Sequence, residues 1–329
     1  MLRALLARRR EPVVILPYTS YGTARRAIVC GRVLEDEGFV AAGAPERRWR
    51  NAAEFVKRLE SDEVPHAKLV VSGQRVSADR EGYFRVELAG RFAAGWNDVE
   101  VELAGQPQVR ATARVLVPRP AARFGVVSDI DDTVVQTDVT RKLRMLMKLA
   151  LSSARTRKPF AGVAAFYRAL HEGVNPFFYV SKSPWNLYVP LVEYLELQGL
   201  PAGPLLLRDF GWRMKKDHKA AAIAAILETY PKLPFLLIGD SGEHDPEIYA
   251  GIVRRFPARI RAVYIRAVHR NRERTRAIET LAAEVAKTGG QLVLAPDTEI
   301  AAAHAAAEGL IAVEELKRIR ADRSADAKA

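Results

Sequence analysis

Asp129, Asp131 and Asp132 crowd the positions directly after the apolar run Phe124-Gly125-Val126-Val127. An apolar run of this length reads as a buried strand, and open α/β sheets bind their ligands in the crevice at strand C-terminal tips. Like charges this close stay ionised only if a cation, a proton or a hydrogen-bond network compensates them. A hard, oxygen-seeking ion such as Mg²⁺ would do so. Asp129 and Asp131 stand two apart, so they face one side if strand geometry continues to the tip. The structural alternative is a helix N-cap or an Asx-turn built from Asp132 and Thr133.

A second segment, Phe235-Leu236-Leu237-Ile238-Gly239-Asp240, repeats the design and runs on through Glu243 and Asp245. Two acidic strand tips can share one ion. Asp129 and Asp131 from the first and Asp240 from the second supply enough oxygens for Mg²⁺ while leaving positions for water and a phosphate.

These residues resemble the haloacid dehalogenase (HAD) phosphatase superfamily. Asp129, Asp131 and Thr133 fit its first motif, Phe177-Phe178-Tyr179-Val180-Ser181 its second, and Asp240 with Asp245 its last. The words Ser128-Asp129-Ile130-Asp131-Asp132-Thr133, Tyr179-Val180-Ser181-Lys182-Ser183-Pro184-Trp185-Asn186 and Gly239-Asp240-Ser241-Gly242-Glu243-His244-Asp245 are similar to the APP1-type phosphatidate phosphatase catalytic domain, related to the lipin-type domains. The resemblance implies a Mg²⁺-dependent phosphomonoester hydrolase working through an aspartyl-phosphate. It makes Asp129 the nucleophile and Asp131 the acid/base. Ser181, Lys182, Lys219 and Thr133 become phosphate contacts, and Asp129, Asp131, Asp240 and Asp245 the metal group, with Asp245 supporting rather than ligating as an open reading. Lys215 and Lys216 compete with Lys219 for the role of the family's lysine. Phosphatidate is the implied substrate. Another phosphorylated substrate, or an acidic-lipid binding module without turnover, remains as an alternative.

Placing these groups is the work of the surrounding elements. The expected fold is α/β: a HAD-like Rossmannoid parallel sheet with helices on both faces over residues 121–329. Before it, residues 1–120 read as a small, mainly antiparallel, sandwich-like β domain with its linker. Alternating segments such as Tyr83 to Leu88 and Val99 to Leu103 carry that reading, and Pro118-Arg119-Pro120 reads as the joint. A short helix is expected from Asn51 to Leu59. In the second part, helices are expected over Gly162 to His171 and Ala220 to Leu227. Strands are expected at Pro176 to Val180, Leu205 to Leu207 (an edge), Arg261 to Ile265 and Gln291 to Leu294. Ser181 and Lys182 should begin a loop suited to a helix N-terminus, and the tail from Glu314 onward should fray.

The 329 residues are 49% hydrophobic, enough for two ordinary cores. The single cysteine, Cys30, excludes an internal disulfide and a cysteine-based zinc site. Against 39 acidic residues stand 51 basic ones, a net charge of +12 that favours anionic partners. Zinc-finger spacing, a Walker-type glycine loop and interleaved basic-aromatic strands are missing, so nucleic acid is the less favoured partner. No apolar run approaches membrane-spanning length, and Arg8-Arg9-Arg10 follow rather than precede the leucines of the N-terminus. The expectation is a cytoplasmic chain. Arg141, Arg144 and Lys148 gather on one helical face opposite Leu143, Met147 and Leu151. That face either touches an anionic membrane surface or is the solvated side of a helix covering the core.

Overall fold

Alternation decides the architecture of the first unit. In Tyr83–Ala89 the side chains of Phe84, Val86 and Leu88 are buried while Arg85 and Glu87 point to water, the period of two that makes a half-buried strand. A computed structural model describes residues 12–35, 63–130, 162–208, 218–268 and 271–328. The chain divides into Met1–Val117 and Pro118–Ala329. The first unit contains β1 (Val13–Tyr18), β2 (Ser20–Thr23), β3 (Arg26–Glu35), β4 (Lys68–Val71), β5 (Gln74–Ser77), β6 (Tyr83–Ala89), β7 (Gly95–Leu103) and β8 (Gln106–Val117). They run in the order β1-β3-β2-β8-β7-β4-β5, with β6 on β3. Every pairing is antiparallel except β2 with β8. Val29, Val33, Phe84 and Val86 share one apolar core with Leu69, Val101, Ala113 and Val115. The helix expected over Asn51 to Leu59 lies outside the described residues.

The second unit is built on a parallel sheet. Its strands are β9 (Gly125–Ser128), β10 (Phe177–Pro184), β11 (Leu205–Arg208), β12 (Phe235–Asp240), β13 (Ile260–Arg266) and β14 (Leu292–Ala295), in the order β11-β10-β9-β12-β13-β14. All their pairings are parallel. Such strands are covered on both faces and read as unbroken apolar runs, which is why all four residues of β9 are buried. The helices are α1 (Val163–His171), α2 (Tyr188–Leu197), α3 (His218–Thr229), α4 (Asp245–Arg255), α5 (Arg272–Ala286), α6 (Thr298–Ala307) and α7 (Glu315–Lys328). They form two packed groups, α1 with α6 and α7, and α3 with α4 and α5. This is the expected α/β architecture, with Leu205–Arg208 at the sheet edge.

Two expectations fail. The tail does not fray: α7 buries Ile319, and Arg320 and Arg323 pair with Glu299 of α6. One apolar anchor and a charged seam hold a helix whose composition reads as solvated. Nor does the chain leave the sheet at Ser181; β10 continues to Pro184, and a 3₁₀ turn at Trp185–Leu187 follows.

Leu237 lies fully buried in the middle of β12. Truncation to Ala should destabilise the second unit by about 2–5 kcal/mol, the usual range for a buried leucine that leaves a cavity. Urea unfolding monitored by circular dichroism measures it.

Candidate active site

Chain order in the sheet puts the two acidic segments side by side. Running outward from β9 to β11, then returning to β12 on the other flank of β9, the chain makes its topological switch beside the central strand. Val126, Val127 and Ser128 lie level with Leu236, Leu237 and Ile238. One residue further, the amide of Asp129 donates to the carbonyl of Ile238 at 2.9 Å. Asp129 and Asp240 therefore leave neighbouring tips at nearly the same height.

The first turn of α3 supplies the counter-charge. The Nζ of Lys219 is 2.8 Å from Oδ1 of Asp129 and also bonds Oδ1 of Asp245; the three side chains are 1%, 2% and 0% exposed. Burial alone would lower the proton affinity of Lys219. The two carboxylates, Asp129 foremost, outweigh it and raise the pKa, so the ammonium stays charged. Beneath it the ring of Tyr249 lies 5.9 Å from Nζ, within reach of a cation–π attraction, and its hydroxyl donates to the carbonyl of Ile238 at 3.0 Å.

A tight turn organises the acids after β12. Oδ2 of Asp245 accepts the amide of Asp240 at 3.3 Å, and Oδ1 of Asp240 accepts the amides of Gly242 and, at 3.1 Å, Glu243. Gly239 permits the closure: a Cβ there would stand 2.3 Å from Oδ2 of Asp245 and 2.8 Å from the ring of Tyr249. Burial, followed by the charge of Asp245, raises the pKa of the Asp240 carboxyl above its ordinary value.

Asp129, Asp240 and Asp245 each offer an oxygen within 4.8 Å of the others. When all are ionised, these acids and Lys219 leave a formal charge of −2. Oδ2 of Asp240 is buried with no hydrogen-bond partner. An all-oxygen donor set with surplus negative charge and an unsatisfied buried oxygen fits a hard divalent cation. Asp129 and Asp240 are best placed to ligate it. Both oxygens of Asp245 are already engaged, by Lys219 and by the Asp240 amide.

Of the other expected site residues, Ser181 is buried in β10, two positions beyond the level of Ser128. Its Oγ accepts the Ser183 amide at 2.9 Å and caps no helix, because the following turn begins after Pro184. Lys182 pairs with Glu243 at 2.7 Å, bridging the tips of β10 and β12. Asp131, Thr133, Arg141, Arg144, Lys148, Lys215 and Lys216 lie outside the described residues. Tyr249 was missed although it sits one helical turn from Asp245, a spacing that puts both on one face. Beside Asp129 a cavity of about 110 Å³ is lined mainly by apolar surface, including Val163, Phe166, Tyr194, Leu195 and Leu200.

Residues 124–267 match the family model described as phosphatidate phosphatase APP1, catalytic domain. Over these residues the chain is similar to an APP1-type catalytic domain. Over 151 residues the chain is 36% identical to phosphatidate phosphatase APP1 of Saccharomyces cerevisiae, a match covering 44% of this chain and 26% of that protein. It is 27% identical over 213 residues to an uncharacterised protein of Schizosaccharomyces pombe, covering 60% of this chain and 35% of the relative. The chain thus spans about a quarter to a third of the length of these curated relatives. A solved HAD family hydrolase from Deinococcus radiodurans, with bound phosphate and sodium, is 21% identical with a TM-score of 0.31, covering 58% of this chain and 99% of its own. That overlap is too slight to bear on the chemistry. The matched residues include both acidic tips and Lys219.

Two substitutions test the geometry of this site. Gly239→Ala should displace Asp245 and release Lys219, lowering both the melting temperature and any phosphatase activity. Asp240→Asn should act in opposite directions on stability and function. A carboxyl whose folded pKa is raised contributes stability that is fully present below the unfolded value, near 3.8, and lost as pH rises through the folded one. Without divalent ions the variant should melt above the wild type at pH 7, with the gap closing near pH 4. Calorimetry should show that it has lost cation binding.

Proposed function

We propose that this chain is a Mg²⁺-dependent phosphomonoester hydrolase that forms an aspartyl-phosphate on Asp129 and acts on phosphatidate, releasing diacylglycerol. The observation that carries the reading is the convergence of Asp129, Asp240 and Asp245 around buried Lys219, inside a domain matching the APP1 catalytic family. The mainly apolar lining of the cavity beside Asp129 is compatible with a substrate that carries a hydrocarbon part, of which its volume of about 110 Å³ would admit only a small portion.

In this reading a carboxylate oxygen of Asp129 attacks phosphorus in line, forming the O–P bond as the bond to the leaving oxygen breaks. Asp131, in the role implied by the family resemblance, gives the departing alkoxide its proton. It then takes one from the water that hydrolyses the aspartyl-phosphate. Lys219 holds Asp129 in orientation and adds positive charge near the transferring group, where charge stabilisation supplies most of the catalysis. Ser181, Lys182 and Thr133 contact the phosphoryl oxygens, with Lys182 exchanging Glu243 for the substrate. Asp129, Asp240 and the backbone carbonyl of Asp131 would hold Mg²⁺, which when bound supplies Lewis-acid charge at the phosphoryl oxygens.

Among the described residues no helix is long and apolar enough to cross a membrane. We place the protein in the cytoplasm, reaching its lipid peripherally through Arg141, Arg144 and Lys148. The β unit supports the catalytic one or binds a partner; among the described residues the acidic cluster belongs to the second unit alone.

Incubation with phosphatidate vesicles and, separately, with a soluble aryl phosphate tests the reading. Mg²⁺-dependent phosphate release should be faster from vesicles, absent in Asp129→Asn, and reduced about 10²–10⁴-fold in Asp131→Asn. Equal release from both substrates would favour another phosphorylated compound. Tight vesicle binding without release would leave a binding module.

A further inference from the structure

Arg274 is on α5, beyond the matched residues 124–267, yet it grips the turn that carries the last acids. Its Nε donates to the carbonyl of Ser241 at 2.9 Å, and Nη2 donates to the carbonyl of Glu243. The same guanidinium forks onto the carboxylate of Glu247, bonding Oε1 through Nη1 and Oε2 through Nη2 at 3.0 Å. One side chain therefore ties the turn, the start of α4 and α5 together.

The geometry of the peptide bond transmits this grip to the acidic cluster. The carbonyl of Ser241 and the amide of Gly242 are opposite ends of one planar trans peptide unit. Holding the oxygen toward Arg274 aims the N–H the other way, onto Oδ1 of Asp240, where the Glu243 amide also donates. Ser241 is pinned from a second side: its amide donates to the carbonyl of Arg266 at 2.8 Å, and its Oγ accepts the Val268 amide at 2.9 Å. With Oδ1 of Asp240 held by two amides, Oδ2 is left buried among the acids without a hydrogen bond.

We infer that Arg274 is a positioning residue for divalent-cation binding: by fixing the peptide planes at Ser241–Glu243 it sets the Asp240 carboxylate in its ligating orientation. The functional unit accordingly extends past residue 267 to include α5. The inference rests on the metal reading above, but the orienting effect exists with or without the ion. A lysine cannot substitute, because the task needs a planar fork with several donors rather than a point charge.

Arg274→Met and Arg274→Lys in the full chain test this by two measurements. The first is Mg²⁺ and Mn²⁺ binding by titration calorimetry. Both variants should bind about 10–100-fold more weakly than wild type, the usual effect of losing a group that orients a ligand. The second is amide hydrogen exchange in the metal-free protein, where protection of the 241–244 segment should fall about tenfold in both variants while that of β9 and β13 stays unchanged. If Arg274→Met exchanges and binds like wild type, or if Arg274→Lys restores both, the inference is overturned. Wild-type protein that binds neither cation would overturn the metal reading, and the exchange data would still judge the role of Arg274. Should Arg274→Met not fold, Arg274→Lys carries both measurements.

Discussion

A buried ammonium between two buried carboxylates is the constraint on which the second unit depends. Removing Asp129, Lys219 and Asp245 from water carries a desolvation penalty of several kcal/mol per ion, offset only when geometry and hydrogen bonding are good. Lys219 meets that condition by touching both acids, and Asp245 by also accepting the Asp240 amide. The third acid, Asp240, has amides on one oxygen only. The cluster is thus stable enough to exist and too negative to be satisfied by its own residues, a balance suited to receiving a cation.

That balance needs a scaffold that brings distant segments to one level. Parallel pairing of β9 with β12 does so through the backbone, independently of the acids themselves. Apolar strands buried on both faces keep the register, since a one-residue slip would turn every side chain to the wrong side. Fine adjustment falls to small features: a glycine at 239 that admits Asp245, a tyrosine under the lysine, and the arginine that fixes the turn. None of these carries out chemistry, and each restricts where a carboxylate can point.

The two units differ in their residue patterns. Alternating strands in the first, such as Tyr83–Ala89, bury one face and leave Arg and Glu on the other, and among the described residues they gather no acidic cluster. The second concentrates polar groups at the carboxyl ends of its strands, where the sheet ends and helix termini leave backbone donors available. Charged seams elsewhere, such as Arg320 and Arg323 on Glu299, have a structural role, and their exposed groups are of modest strength.

Much of this was legible in the sequence. The apolar runs of β9 and β12, the alternation of β6 and β7, and the placing of Asp129, Asp240 and Lys219 at element ends follow from local pattern. Local chemistry decides burial and period there. What only the tertiary structure decided depends on partners far apart in the chain. The helix at Glu315–Lys328 is tied by Arg320 and Arg323 to Glu299 of α6, and the strand that runs past Ser181 meets its edge neighbour again at Pro184, opposite Arg208, after an irregularity in the pairing. Lys219 at a helix start is legible in the sequence, but its contacts with Asp129 and Asp245 belong to the fold. Arg274 was one arginine among many in a basic chain until its guanidinium met Ser241 and Glu247. Residue types and spacing determine which groups could do chemistry; the enclosing fold decides which charges face one another, because that energy depends on distance in space and on the water excluded between them.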